Sequence, residues 1–211
     1  MSDLNAAMQW RYATKRMNGQ QVASEKLDNI LQAIRLSASS FGLQPYRLIV
    51  VADAATKDKI HAQACQQPQV TECSHLLVFA SLTRINAATV SEYIGRIAKE
   101  RGISPDAPQL QEYAQMMNDA ISARSAAQIS EWAARQAYIG LGTGMVAAAM
   151  ERVDATPMEG FDPPAMDSVL GLADKGLSSR VLLALGYRDA EQDYLAQARK
   201  VRLSAEQFVL K

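Results

Sequence analysis

Four basic residues stand in two pairs at opposite ends of the chain. Arg11 and Lys15 lie four apart, so a helical or turning segment projects both to one side. Lys200 and Arg202 flank Val201, and an extended segment points both the same way, roughly 6.5 Å apart. Two such pairs could hold a phosphate, for which arginine offers a planar fork of donors. Each pair taken singly reads as solvated surface charge. Nothing in the local pattern brings residue 11 near residue 202.

Two other clusters invite chemistry. His61 and Cys65 share a helix face at i, i+4, while Cys73 and His75 share a strand face at i, i+2. These four could surround a tetrahedral zinc ion, although their spacing matches no common zinc finger. His75 also runs directly into an apolar segment, and free cysteine is among the most buried residue types. The expectation is no metal. Gly140-Leu141-Gly142-Thr143-Gly144 suggests a dinucleotide fingerprint, but the sixth place is Met145 and the preceding residues are helical in pattern. Gly140 and Gly144, four apart on a helix, are better read as places where another element approaches closely.

These residues need a scaffold. The chain has 211 residues, enough for one substantial core and short for two. It reads as a single domain over residues 1–211. Lys plus Arg equals Asp plus Glu at 22 each, so no bulk nucleic-acid or anionic-membrane partner is implied. The N-terminal residues lack the apolar core of a secretory signal. Ala137 to Met150, the longest mostly apolar stretch, is shorter than the roughly twenty residues a bilayer span needs. A cytoplasmic protein with two reduced cysteines is expected.

Leu27, Ile30, Leu31 and Ile34 form a helical stripe, with Ser24 as the expected N-cap. Arg47 to Val51, His75 to Ala80 and Arg180 to Leu185 read as strands. Helices are expected over Ala54 to Ala64, around Val90 to Ile97, from about Leu110 to Arg124, and over Glu131 to Met150. The order is helix, helix, strand, helix, strand, several helices, strand, helix, strand, tail, an α+β domain.

Beyond periodicity, Ser39-Ser40-Phe41-Gly42-Leu43-Gln44-Pro45 before a strand, then Pro157-Met158-Glu159-Gly160-Phe161, then Lys200-Val201-Arg202 resemble the nitroreductase family of FMN-dependent oxidoreductases. The resemblance spans essentially the whole chain. It implies a helix-rich α+β fold around a mainly antiparallel sheet, and an intertwined homodimer with two FMN sites at the subunit interface. The tail after Arg202 would extend onto the partner's sheet.

The resemblance places Arg11, Lys200 and Arg202 on the FMN phosphate, with Tyr12 and Ala13 nearby and Lys15 at the pyrimidine edge of the flavin. Ser37, Ala38, Ser39, Ser40 and Gly42 would arrive from the other subunit. Gln66 and Gln69 would lie beside the ring, and Pro157, Met158, Glu159 and Gly160 would cover one flavin face. Phe41 and Met117 would meet substrate. Tyr12 and Ala13 stand where many members have His and Ser, and Gln66 and Gln69 where oxygen-insensitive members often have Asn and Lys. The implied activity is ping-pong hydride transfer from NADH or NADPH, through FMN, to a small acceptor such as a nitroaromatic or quinone. Alternatives are the same fold acting on a specific metabolite (a pteridine or semialdehyde), or a non-enzymatic metal-binding module.

Overall fold

The apolar runs of the sequence become a sheet covered on both faces. In a computed structural model describing residues 2–211, helices α1 (Asp3–Trp10) and α2 (Ser24–Leu36) precede strand β1 (Tyr46–Val51). Helices α3 (Ala54–Gln63) and α4 (Gln69–Glu72) lead into β2 (His75–Leu82). Three helices follow: α5 (Ala87–Arg101), α6 (Pro108–Ser122) and α7 (Ala126–Met150). Strand β3 (Asp154–Met158), helix α8 (Pro163–Leu170), strand β4 (Leu177–Gly186) and helix α9 (Ala205–Phe208) complete the order. The strands lie in the order β1-β2-β4-β3, and every neighbouring pair is antiparallel.

Alternation along the central strands divides the core. Leu77 and Phe79 of β2, with Val181, Leu183 and Leu185 of β4, pack against residues of α2 and α7. Leu76 and Val78, with Leu182 and Ala184, face a second cluster built with residues of α3, α4 and α8. Because both faces are buried, these strands read as unbroken apolar runs. A third cluster joins α5, α6 and the N-terminal part of α7.

The structure corrects some expected boundaries. Helix α2 starts at Ser24, with Ala23 at the cap position and no side-chain cap. Helix α7 starts five residues before Glu131, where Ser125 and Gln128 form a reciprocal capping box. The glycine reading holds: a Cβ on Gly140 would sit 2.5 Å from Tyr46 Oη, and one on Gly144 would sit 2.9 Å from Ile34 Cδ1. These glycines let α7 lie closely against β1 and α2. Among the described residues no helix is long and apolar enough to cross a membrane.

Candidate active site

The site begins where α1 stops. Arg11 follows the helix in extended conformation, its N–H still donating to Ala7 O at 2.9 Å. The chain then runs extended past β3 toward an isolated bridge between Met17 and Arg188. Thr14 anchors this stretch. It is fully buried, its Oγ1 is 2.7 Å from Thr156 Oγ1, and its carbonyl accepts from Thr156 Oγ1 at 2.8 Å and Gln69 Nε2 at 3.0 Å. With Thr14 turned inward, its neighbours Ala13 and Lys15 face the other way, into a cleft of about 590 Å³.

That cleft gathers residues from both ends of the chain. Arg11, Tyr12, Ala13, Lys15, Pro157, Lys200 and Arg202 all line it. Lys200 donates to Arg11 O at 2.5 Å and also to Met8 O, so its ammonium caps the carbonyl end of α1. Burial, repulsion from Arg11 and repulsion from Arg202 lower the Lys200 pKa. Burial and Arg202 likewise lower that of Arg11, with Asp154 opposing them. Arg11 Nε is buried without a hydrogen-bond partner among the described residues. Three cations held together with a spare buried donor form a site suited to an oxyanion.

Two aspartates clasp the cleft. Asp193, 4% exposed, accepts from Tyr12 Oη at 2.9 Å, Lys15 N at 2.8 Å and Leu195 N at 2.9 Å. These bonds outweigh burial and hold its carboxyl below the usual range, while burial and Asp193 push the Tyr12 phenol upward. Asp154 receives Arg188 Nε at 3.1 and 3.0 Å, Nη2 at 2.6 Å, and the Arg188 backbone N–H at 2.8 Å. Burial lowers the Arg188 pKa, but Asp154 reverses the effect and leaves it raised. Its guanidinium lies 4.6 Å from the Trp10 ring centre and 4.5 Å from that of Tyr12. Sequence reading missed Thr14, Thr156, Asp154, Arg188 and Asp193. The available signal was polar residues bordering apolar strands.

The remaining expected residues fall elsewhere. Ser37 to Gly42 does not line this cleft in the same chain. Ala38 is exposed, and Ser40 to Gly42 forms a single 3-10 turn in which Phe41 has φ 60° and Gly42 φ 72°. Gly42 is required twice, since a Cβ there would also lie 2.3 Å from Tyr93 Oη. The turn is held by Ser40 N donating to Gln136 Oε1 at 2.7 Å, Gln44 N to Ser39 Oγ at 2.9 Å, and Tyr113 Oη to Phe41 O at 2.8 Å. Ser37 Oγ lies 3.2 Å from Tyr46 Oη. Phe41 packs beside Tyr113 and Trp132.

Gln66 and Gly160 border a separate hollow with Cys65 and Phe161. Glu159 accepts a short hydrogen bond from Tyr138, whose phenol is pushed up to about 12 by burial and by that carboxylate.

Burial corrects one expectation and narrows two others. Met117 is fully buried in the α5–α6 cluster, and Met116 is the exposed neighbour, so Met117 offers no surface to a substrate. The Met158 side chain enters the core below β3, leaving only its backbone for a cofactor. Gln69 is 3% exposed and braces Thr14 from behind the cleft wall. Its Oε1 is buried and unpartnered among the described residues.

The four metal-capable residues are otherwise engaged or apart. Cys65 Sγ donates to Gly160 O at 3.6 Å, Cys73 Sγ to Val70 O at 3.4 Å, and His75 Nδ1 pairs with Ser74 Oγ at 2.8 Å. Among the described residues no three His, Cys, Asp or Glu side chains gather as a metal set.

Known proteins are similar to this chain in sequence and in fold. The major NAD(P)H-flavin oxidoreductase of Aliivibrio fischeri is 28% identical over 205 residues, 94% of each chain. A Staphylococcus aureus protein bearing an NAD(P)H nitroreductase name is 32% identical over 207 residues, 90% of this chain and 91% of that one. Two crystal structures, both described as nitroreductases, superpose along nearly their full length. One from Bacillus subtilis has a TM-score of 0.85 at 21% identity, covering 99% of this chain and 98% of that one. One from Exiguobacterium sibiricum, solved in complex with FMN, has a TM-score of 0.82 at 17% identity, covering 100% and 98%. The nitroreductase family model matches residues 8–187, from the last turn of α1 through the end of β4 and so over the wall of the cleft formed by Arg11 to Lys15 and Pro157. The chain therefore belongs to the nitroreductase family.

Proposed function

We propose that this chain is an FMN-dependent NAD(P)H oxidoreductase acting as a homodimer. The observation that carries the reading is the meeting of Arg11, Lys200 and Arg202, with a buried unpartnered Arg11 Nε, at one end of a cleft that continues past Lys15 to Pro157. Its donor set fits the phosphate of FMN, and the walls beyond fit a ribityl chain and ring. The names of the relatives and the FMN complex of a structural neighbour support the same reading.

Arg11, Lys200 and Arg202 would hold the phosphate. Lys15, fixed through its backbone by Asp193, would present its ammonium to the pyrimidine edge. Pro157, Glu159 and Gly160 would form the floor, with Glu159 steadied by Tyr138. Bound FMN supplies the two-electron hydride chemistry linking NAD(P)H to an acceptor. The protein's part is to orient donor and acceptor in turn over one face and to exclude water. No side-chain acid or base is assigned, since protons can come from solvent. Tyr138, with a pKa of about 12, stays protonated as the donor to Glu159. Ser37 to Gly42, standing away from its own cleft, would serve the partner's.

The test is the absorption spectrum of the purified protein and a flavin titration. One FMN per chain and bleaching on adding NADH or NADPH are expected. A protein that neither binds FMN nor oxidises either nucleotide refutes the proposal.

A further inference from the structure

Among the described residues three that are not glycine have positive φ, and two of them stand in one turn, Phe41 at 60° and Gln44 at 49°. Both carry a Cβ into the left-handed region that only glycine enters freely. Gly42, at φ 72°, lies between them. Such conformations persist only where the surroundings over-determine them, and they gather at functional sites. The cause of the strain must therefore be sought in what packs around the turn.

Three helices each set one side chain against three consecutive residues. Gln136 of α7 accepts from Ser40 N at 2.7 Å, its amide oriented by a bond from Nε2 to Trp132 O at 3.0 Å. Tyr113 of α6 donates to Phe41 O at 2.8 Å. Tyr93 of α5 fills the space that a Cβ on Gly42 would need. Of these contacts, the Tyr113 bond acts on the strained residue itself. The direction of the Phe41 carbonyl follows from its backbone angles, so a donor fixed on that carbonyl holds them. The Phe41 ring is held separately, 6.4 Å from Tyr113 in a T-shaped pair and 6.3 Å from Trp132. No other α6 side chain hydrogen-bonds to this turn among the described residues. Burial, then Tyr93, raises the Tyr113 pKa against an opposing Arg101, so its hydroxyl stays a donor at neutral pH. The turn in its place presents Ser39, whose Oγ accepts from Gln44 N at 2.9 Å and keeps its own proton for an outside acceptor.

We propose that Tyr113 is a positioning residue for the flavin: its hydroxyl holds Phe41 in the left-handed conformation and so aims Ser39 and Ser40 at the FMN bound by the partner subunit. This rests on the homodimeric flavin-oxidoreductase reading. The strain is present before the flavin arrives, so the serines need no ordering on binding. Without the hydroxyl, Phe41 relaxes toward negative φ and the turn opens. The serine donors must then be ordered anew at each binding event, which weakens affinity.

The test follows FMN release on dilution of the loaded protein, read by flavin fluorescence. It compares wild type, Tyr113→Phe and the double variant Phe41→Gly/Tyr113→Phe. Tyr113→Phe keeps the ring and removes one hydrogen bond, so the dissociation constant should rise about fivefold to tenfold. Glycine at position 41 takes φ 60° without a Cβ, so the double variant should return to within about twofold of wild type. Well below each variant's melting temperature, a merely structural role leaves the constant unchanged. Wild-type affinity in Tyr113→Phe overturns the proposal, as does a double variant that binds no more tightly than the single one. So does a loss that accompanies conversion of Tyr113→Phe to a monomer in sedimentation velocity. If Tyr113→Phe does not fold, the double variant decides alone. Affinity within about twofold of wild type then supports the proposal, and weaker binding overturns it. These outcomes leave the flavin reading standing, whereas a wild-type protein that binds no FMN refutes that reading and this assignment with it.

Discussion

At the scale of single residues, Arg11 Nε is the least satisfied donor of the cleft, and a buried unpaired polar group costs about 1–3 kcal/mol. An oxyanion beside it satisfies that donor and screens Arg11, Lys200 and Arg202 from one another. Lys200 makes this measurable. Burial first, then its two cationic neighbours, hold its pKa below the ordinary 10.5. A phosphate dianion favours the charged amine and raises that pKa, so binding takes up a proton in the interval between the two values. FMN affinity should therefore be level well below the lowered pKa of Lys200 and fall as pH climbs through it toward 10.5. Flavin fluorescence titrations should show the decline for FMN, not for riboflavin, which lacks the phosphate. Lys200→Met should flatten it. An equal decline for riboflavin would remove Lys200 from the phosphate.

Asp193 offers a second residue-level test. Tyr12→Phe removes a hydrogen bond to a carboxylate and should cost about 1.5–3 kcal/mol in urea unfolding. Asp193→Ala should cost more, since Lys15 N and Leu195 N also lose their acceptor. In the double variant the Tyr12 contribution should largely vanish, the signature of a direct pair. The folded-state pKa of Asp193 lies below its reference of 3.8, so its contribution is complete above that value. It is lost as pH falls through the depressed pKa. Additive losses in the double variant would show that the contact contributes nothing.

At the scale of elements, α7 is placed by what two glycines lack. Alanine is intrinsically better than glycine in a helix by about 1 kcal/mol. Gly140→Ala should nevertheless destabilise the protein, because the new Cβ would meet Tyr46 Oη at 2.5 Å and Cζ at 3.0 Å. A net loss of about 1–3 kcal/mol is expected from overpacking of this kind. Adding Tyr46→Phe removes the nearest atom and should recover part of it. Thermal melts that show Gly140→Ala neutral or stabilising would mean that α7 and β1 are less closely packed than described.

The same element shows what the sequence could disclose. Helix α7, the helical stripe of α2 and strands β1, β2 and β4 were legible because periodicity and burial are local properties. A bulge in β4 at Arg180, where Phe79 pairs with Val181 and Ala80 with Ser179, was not, since it depends on the register with β2. Nor were the clasps, which join Tyr12 to Asp193 across 181 positions and Asp154 to Arg188 across 34. The meeting of Arg11 with Lys200 and Arg202 followed from family resemblance alone. Met117 was misjudged because an α6 stripe does not disclose which of two adjacent methionines faces inward.

At the scale of the whole molecule, two observations bear on the proposed homodimer. Ser37 to Gly42 is tied into its own subunit by Gln136, Tyr113 and Tyr46, yet lines none of its own Arg11 cleft. The terminal segment carries apolar side chains into solvent, with Leu203 64%, Phe208 77% and Leu210 89% exposed. Strand β1 is an edge of the sheet, and Val50 on it is 40% exposed. An open edge and an exposed apolar tail are the surfaces that the proposed homodimer would pair between two copies. Deleting residues 203–211, which spares Lys200 and Arg202, should therefore shift the protein toward monomer. FMN affinity should fall with it and recover as protein concentration rises, because dimerisation and flavin binding are then linked equilibria. Sedimentation velocity across a concentration series, paired with flavin titration at each concentration, measures both terms. A truncated monomer that binds FMN as tightly as the full chain, independently of concentration, would make the cleft complete in one subunit and overturn the shared site.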